Sequence, residues 1–194
     1  MTGKFTDLAT SVRLVILGVV IFSVAYSGSI GLVGQTIWNE KATGSLIQSD
    51  GETVGSELIG QDFDESTYFH GRPSSIEYDA MRSGSQNLAP NNPIVGERVR
   101  DDLTGLTESN YRDGAYIEVP AVLLTESGSG LDPHITVESA LFQIPRIANE
   151  TGISERRLRS VVREHTEEKL LGVFGTRKVN VLRLNIALLR ILAE

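Results

Sequence analysis

The chain has 194 residues, room for one ordinary domain plus a short appendage, and its 40% hydrophobic and 22% charged content belongs to a chain that folds around a core. Its 18 Lys and Arg against 25 Asp and Glu give a formal charge of −7, which lacks the basic footprint that non-specific binding of nucleic acid requires. The absence of cysteine excludes a disulfide framework, a thiol nucleophile and an iron–sulfur cluster, and suits a domain exposed to oxidants.

From Leu14 to Asn39 no side chain is charged, and Leu14-Val-Ile-Leu-Gly-Val-Val-Ile-Phe22 is almost solid hydrocarbon. The segment 14–38 extends about 37 Å as a helix, enough to cross a hydrocarbon core of about 30 Å with some tilt. Trp38 then falls where an interfacial aromatic belongs. A cleaved signal peptide is the alternative, with Lys4 and Arg13 as its basic region and Ala25-Tyr26-Ser27 as its cleavage site. Against that alternative, the apolar character runs on through Ile30, Leu32, Val33 and Ile37. The flank before the helix carries Lys4 and Arg13 against Asp7. The flank after it offers Lys41 against Glu40, Asp50, Glu52 and Glu57, so residues 1–13 are expected to form a cytoplasmic tail. Everything after the helix is then extracytoplasmic, with 39–56 as a linker and 57–194 as the domain. Removing Lys4, Arg13 and Asp7 from the totals leaves 16 basic and 24 acidic residues there, a net charge of −8. Ser23, Ser27 and Gly31 recur at four-residue spacing, a small-residue face that another helix can approach closely.

Residues 41–56 are rich in Gly, Ser and Thr, and Glu57-Leu-Ile59 reads as a short strand before Gly60. From His70 to Pro93 turn chemistry dominates. Asn92-Pro93 opens a helix whose expected apolar stripe is Ile94, Val99, Leu103 and Leu106. Val119 to Thr125 reads as a buried strand. In Ser127-Gly-Ser-Gly-Leu-Asp-Pro-His134 the glycines permit a tight turn, Asp132 is expected to cap, and Pro133 to take a first helical position. Residues 137–150 repeat apolar side chains at helical spacing, strained at Pro145 and ended by Gly152. Ser154 caps the next helix, with Leu158, Val161, Val162 and His165 on one face. Val179 to Ala193 reads as a last apolar helix. Few strands and several helices indicate an α+β extracytoplasmic domain anchored by a single N-terminal transmembrane helix.

Ser129, Asp132 and His134 are the residue types of a hydrolase triad, but no Gly-x-Ser-x-Gly elbow surrounds them and the base is not brought in from elsewhere. His70, His134 and His165 are the only histidines, none in a His-x-x-x-His pair, and no metal site is assigned. Ala148, Gly152 and Leu158 match key positions of a helix-turn-helix, with arginines at 156, 157, 159 and 163. Yet residues 155–169 carry five basic and four acidic side chains, too nearly neutral for a recognition helix. Neither a Gly-x-x-x-x-Gly-Lys-[Ser/Thr] cradle nor an Asp-Lys-Thr-Gly-Thr element is present, so hydrolysis of ATP by those routes is excluded. On residues alone the chain is a membrane-anchored extracytoplasmic sensor, ligand-binding domain or subunit, with no enzyme site.

Five blocks occur in order after the apolar segment: Gly55-Ser-Glu-Leu-Ile-Gly-Gln61, Tyr68-Phe-His-Gly-Arg-Pro-Ser74, Ser83-Gly-Ser-Gln-Asn-Leu-Ala-Pro-Asn-Asn-Pro93, Ser127-Gly-Ser-Gly-Leu-Asp-Pro-His134 and Val179-Asn-Val-Leu-Arg-Leu-Asn185. Together they resemble KdpC, the accessory subunit family of the Kdp potassium-transporting P-type ATPase. Ser85, Gln86, Asn91, Val122 and Leu189 depart from that family's usual residues. The resemblance implies a non-catalytic subunit of a high-affinity potassium uptake complex that stabilises assembly and covers the outer potassium entrance. It implies as partners a channel-like potassium-translocating subunit, an ATP-hydrolysing subunit and a small membrane peptide subunit. The family is also described as a catalytic chaperone that raises ATP affinity of the hydrolysing subunit, with a Gln-x-x-Arg element, here Gln143 and Arg146, suggested for nucleotide contact. Arg72, Asn87, Asn92, Asp132, His134, Asn180 and Asn185 are the implied structural or partner-contact positions.

Overall fold

The computed structural model describes residues 2–49, 51–110 and 118–193. Asp50 and the side chain of Lys4, both used in the charge argument, lie outside the described residues. The chain divides into two units, Met1–Leu46 and Ile47–Glu194.

The first unit is helical from α1 (Thr2–Val19) through a π-helical segment (Val20–Tyr26) into α2 (Ser27–Ile37), followed by a single turn, α3 (Asn39–Ala42). Asp7–Ile37 is long and apolar enough to cross a membrane, and none of its most apolar stretch is buried within the protein. The helix therefore begins well before the expected start at Leu14. Ser23 of the expected row of small residues falls within the π-helical segment and Ser27 at its end, where the Ser27 hydroxyl donates to the Phe22 carbonyl at 3.2 Å. A groove of about 650 Å³ along this helix is lined by the small residues Ala25, Ser29 and Gly34 and bordered by Tyr26 and Trp38.

The second unit opens where a bare linker was expected. β1 (Leu46–Ser49) and β2 (Glu52–Ser56) form a two-stranded sheet. Glu57–Ile59 is a turn, not a strand, because Ser56 captures the chain: its hydroxyl accepts from Leu58 N at 3.1 Å. After an irregular stretch, α4 (Pro93–Ser109) starts on Asn92, whose side chain accepts from Ile94 N at 3.0 Å. Its inward side runs through Val95, Val99, Asp102 and Leu106; Ile94 and Leu103 of the expected stripe are exposed. The apolar run expected as a strand at Val119–Thr125 is a 3₁₀ turn at Ala121–Leu123, since Pro120 brings no N–H to a ladder and its carbonyl instead closes on Leu123 N at 2.9 Å.

β3 (His134–Thr136), β5 (Lys178–Asn180) and β4 (Thr166–Glu167) make an antiparallel sheet in the order β3-β5-β4, with Ile135 opposite Val179 and Thr166 opposite Val179. Pro133 thus precedes a strand and not a helix. The helix start lies four residues on, at α5 (Val137–Thr151), where Thr136 Oγ1 accepts from Ser139 N at 3.1 Å. α5 runs on through Pro145 and ends on Gly152 at φ 72°, whose N–H reaches Ala148 O at 2.9 Å. Ser154 caps α6 (Glu155–Glu164) as expected, and Leu158, Val161 and Val162 are buried. His165 ends that helix half-buried, its Nδ1 2.9 Å from Val161 O. The last apolar run is split: Lys178–Asn180 pairs in the sheet, and α7 (Val181–Leu192) follows with Asn180 as its cap.

The core forms where α5, α6 and α7 cover the face of the sheet that bears Ile135 and Val179. Ile144, Ile147, Leu158, Val162, Leu184 and Leu188 are fully enclosed there, each contributing on the order of 1.5–3 kcal/mol by leaving water. Phe69, from the irregular stretch, is as deeply buried as any of them.

Candidate functional site

Among the described residues the segment that carries Phe69 has no strand partner, so its backbone groups need side chains. Two helices supply them. From α7, Asn185 Oδ1 accepts from Phe69 N and Nδ2 donates to Phe69 O, both at 2.9 Å. From α5, Gln143 Oε1 accepts from His70 N at 2.8 Å and Nε2 donates to His70 O at 3.1 Å. Consecutive residues of an extended segment point their polar groups in opposite directions, so one amide grips each side. Both amides are buried, where an unmade bond is expensive.

Arg146 completes the clamp. Its Nη1 donates to Ser66 O, and its Nη2 donates to Tyr68 O at 2.9 Å and to Gln143 Oε1 at 2.8 Å. Burial draws the guanidinium down to about 10, with Glu150 pulling it back up. Burial and then the nearby Arg146 charge lower His70, keeping that imidazole neutral near pH 7. Gln143 and Arg146 are therefore committed to residues 66–70. Arg146 Nε is buried without a hydrogen-bond partner, and Arg146 also lines a cleft beside α4.

A second set of ties joins the segment after His70 to the turn before β3. Arg72 Nη1 pairs with Asp132 Oδ2 at 3.0 Å, and Nη2 donates to Glu126 O at 2.9 Å. Asp132 Oδ1 accepts from His134 N at 3.0 Å, so Asp132 caps a turn leading into a strand. Partial burial would raise this carboxyl, but hydrogen bonds from His134 and then Arg72 outweigh it and hold it at about 2. The His134 ring lies between Asp132 (3.5 Å) and Glu167 (3.6 Å), while Ser129 Oγ accepts from Leu131 N at 3.1 Å. Ser129, Asp132 and His134 thus do not converge on one point. Gly130, at φ 69°, provides the left-handed turn, and a side chain there would overlap Ile76 at 2.5 Å.

The remaining expected positions are local. Asn180 caps α7 through Arg183 N at 3.1 Å and donates from Nδ2 to Glu57 O at 2.9 Å. Asn92 caps α4, and exposed Asn87, at φ 51°, bonds only around Ser85.

These ties shape an open cleft of about 610 Å³ between residues 62–78 and α4. Asp62, Asp64, Glu77, Asp101 and Asp102 line it, with His70, Arg72, Tyr78 and Arg146. Burial first, and then the adjacent Asp64, raise Asp62; burial raises Asp102 despite Arg98. Tyr78 is pushed up to about 12, chiefly by burial, and its hydroxyl donates to Arg72 O. Among the described residues no three His, Asp or Glu side chains come together at metal-holding spacing. The cleft can draw cations loosely through its field. No local pattern points to it, because Asp62, Asp64 and Glu77 sit on irregular or turning backbone and Asp101 and Asp102 in the middle of α4, without a shared spacing.

A family described as "KdpC: K+-transporting ATPase, c chain" matches residues 8–190. Similar proteins carry the name "Potassium-transporting ATPase KdpC subunit". That of Halobacterium salinarum (strain ATCC 29341 / DSM 671 / R1) is 41% identical, covering 93% of this chain and 85% of its own. That of Bacillus mycoides (strain KBAB4) is 40% identical over 99% of this chain and 100% of its own. That of Rhodopseudomonas palustris (strain BisB18) is 39% identical over 94% and 96%.

Proposed function

The chain belongs to the KdpC family, and from that membership we propose that it is the non-catalytic subunit of an ATP-driven potassium uptake complex, anchored by one helix, with residues 57–194 outside the cell over the potassium entrance. The observation that carries this reading is the match along residues 8–190, which takes in the membrane-length helix and the compact unit together. The geometry supports it. The motif side chains are spent on holding the chain's own segments rigid, as befits a shaped surface that partners grip. Its partners are the channel-like translocating subunit, the ATP-hydrolysing subunit and the small membrane peptide subunit. The acidic cleft raises the local cation concentration, but its field fades over about 8 Å at physiological ionic strength, so selection of potassium belongs to the partner's ring of oxygens. An outside domain does not touch cytoplasmic ATP. Any effect on nucleotide affinity is then a coupling transmitted through the membrane subunits.

Two experiments test this. A tagged chain extracted in mild detergent brings down two large membrane subunits; isolation as a lone monomer refutes the subunit reading in favour of an independent sensor. A cysteine placed at Ser49 reacts with an impermeant maleimide in intact cells while one at Thr2 is protected, and the reverse pattern refutes the topology.

A further inference from the structure

Between β4 and β5 the chain makes a hairpin whose tip is unlike the rest of the surface. Leu170 and Phe174 close it by exchanging backbone bonds at 2.9 and 3.0 Å. Leu171 and Gly172 turn it at φ 54° and 74°. Leu170, Leu171, Val173 and Phe174 are 70%, 84%, 73% and 64% exposed. Leucine is disfavoured in the left-handed region, so this turn holds an apolar side chain outward at a conformational cost that Gly or Asn would avoid. Among the described residues these four side chains take no part in the core.

We infer that this tip inserts into the interfacial layer of a bilayer that presents anionic headgroups. Three observations select lipid over protein. A tip of four side chains is far smaller than the roughly 800 Å² per partner of a stable protein interface, yet suits shallow interfacial insertion. Its flanks bear Lys169, with Arg177 and Lys178 paired to Glu168 and Glu167 at 3.0 and 3.4 Å, and residues 155–178 still carry seven basic against four acidic side chains on a chain whose net charge is −7. The exposed arginines 156, 157, 159 and 163 lie on α6, which leads into the hairpin. Finally, the chain's own membrane-length helix tethers it to a bilayer, so even a weak contact is populated through high effective concentration. The inference rests on the single-span reading.

The chain has no cysteine, so one nitroxide can be placed at will. In the full chain reconstituted in nanodiscs containing phosphatidylglycerol, labels at V173C and F174C are compared with M81C, 92% exposed in the second unit, and with I30C in the helix. Oxygen concentrates in hydrocarbon and a charged nickel chelate does not. The expected oxygen-to-nickel collision ratio at 173 and 174 is about threefold that at 81, falling towards it in discs of phosphatidylcholine alone. An aqueous ratio at 173 and 174 with a bilayer ratio at 30 overturns the tip inference while sparing the anchor; an aqueous ratio at 30 overturns both. Protection at 173 that arises only when the membrane subunits are added overturns the lipid assignment in favour of a protein partner. An equal ratio in both disc types overturns the anionic component.

Discussion

Asn185→Leu removes one grip on Phe69 without leaving a large void. In the native chain the amide both accepts from Phe69 N and donates to Phe69 O at 2.9 Å, from a side chain 1% exposed. Leucine leaves that buried N–H and C=O unpaired at about 1–3 kcal/mol each, so the expected loss is about 4 kcal/mol. Against a typical total of about 5–15 kcal/mol this is large, and at a urea slope of about 2 kcal/mol/M it moves the midpoint by about 2 M. The assay is urea unfolding of the full chain in mild detergent, followed by circular dichroism. Asn87→Ala, at an exposed turn, serves as the control and changes stability by less than about 0.5 kcal/mol. Asn185→Asp sharpens the test. The protonated acid can still donate to Phe69 O, whereas the buried carboxylate faces that carbonyl, so the folded pKa lies above the unfolded value. Stability of the aspartate variant is then greatest at low pH and falls as pH rises through the folded pKa. A loss below about 1 kcal/mol in Asn185→Leu, or no pH slope in Asn185→Asp, would refute the clamp.

Asp132 is held at about 2, below its ordinary 3.8, so its contribution is present above pH 4 and lost as pH falls towards 2. Allowing for screening at this partly exposed site it amounts to about 1 kcal/mol, and Asp132→Asn flattens the acid limb of stability against pH. Gly130→Val forces a β-branched side chain to φ 69° and into Ile76, costing about 3 kcal/mol in the same unfolding assay, whereas Ser129→Ala loses one turn hydrogen bond and stays within about 1 kcal/mol while transport persists. Neutralising Glu40 and Glu52 weakens apparent potassium affinity by less than about twofold at low ionic strength and not at high salt, read by potassium-dependent ATPase activity of the complex. A changed potassium-to-sodium preference would instead place this chain in the filter.

How legible these features were depended on whether their cause is local. The α5–Gly152–α6 corner was readable because caps and a left-handed glycine act within a few residues, and those bonds form as expected, from Gly152 N to Ala148 O and from Arg157 N to the Ser154 side chain. β5 was not, since Val179 suits a strand and a helix equally and three residues show no period; Asn180, inside the expected helix, in fact caps its start. Val119–Thr125 misled for the opposite reason, an apolar run whose Pro120 overrode its composition. Gln143, Arg146, Asn180 and Asn185 were singled out by resemblance alone. Their partners lie 73 to 123 residues away, beyond any local pattern, and only the assembled α5 and α7 bring them to Phe69, His70 and Glu57.

The π-helical segment at Val20–Tyr26 bears on how this helix tolerates changes of length. A wide turn is in effect one residue inserted into an α-helix, with the flanks keeping their facings. A single deletion between Val20 and Tyr26 therefore restores ordinary turns while Leu14 and Ile30 continue to look the same way. The same deletion within Leu8–Gly18 or Gly28–Thr36 swings one half of the helix by about 100° against the other. Relatives that differ by one residue in this segment would then be interchangeable in the membrane only where the gap falls in the wide turn.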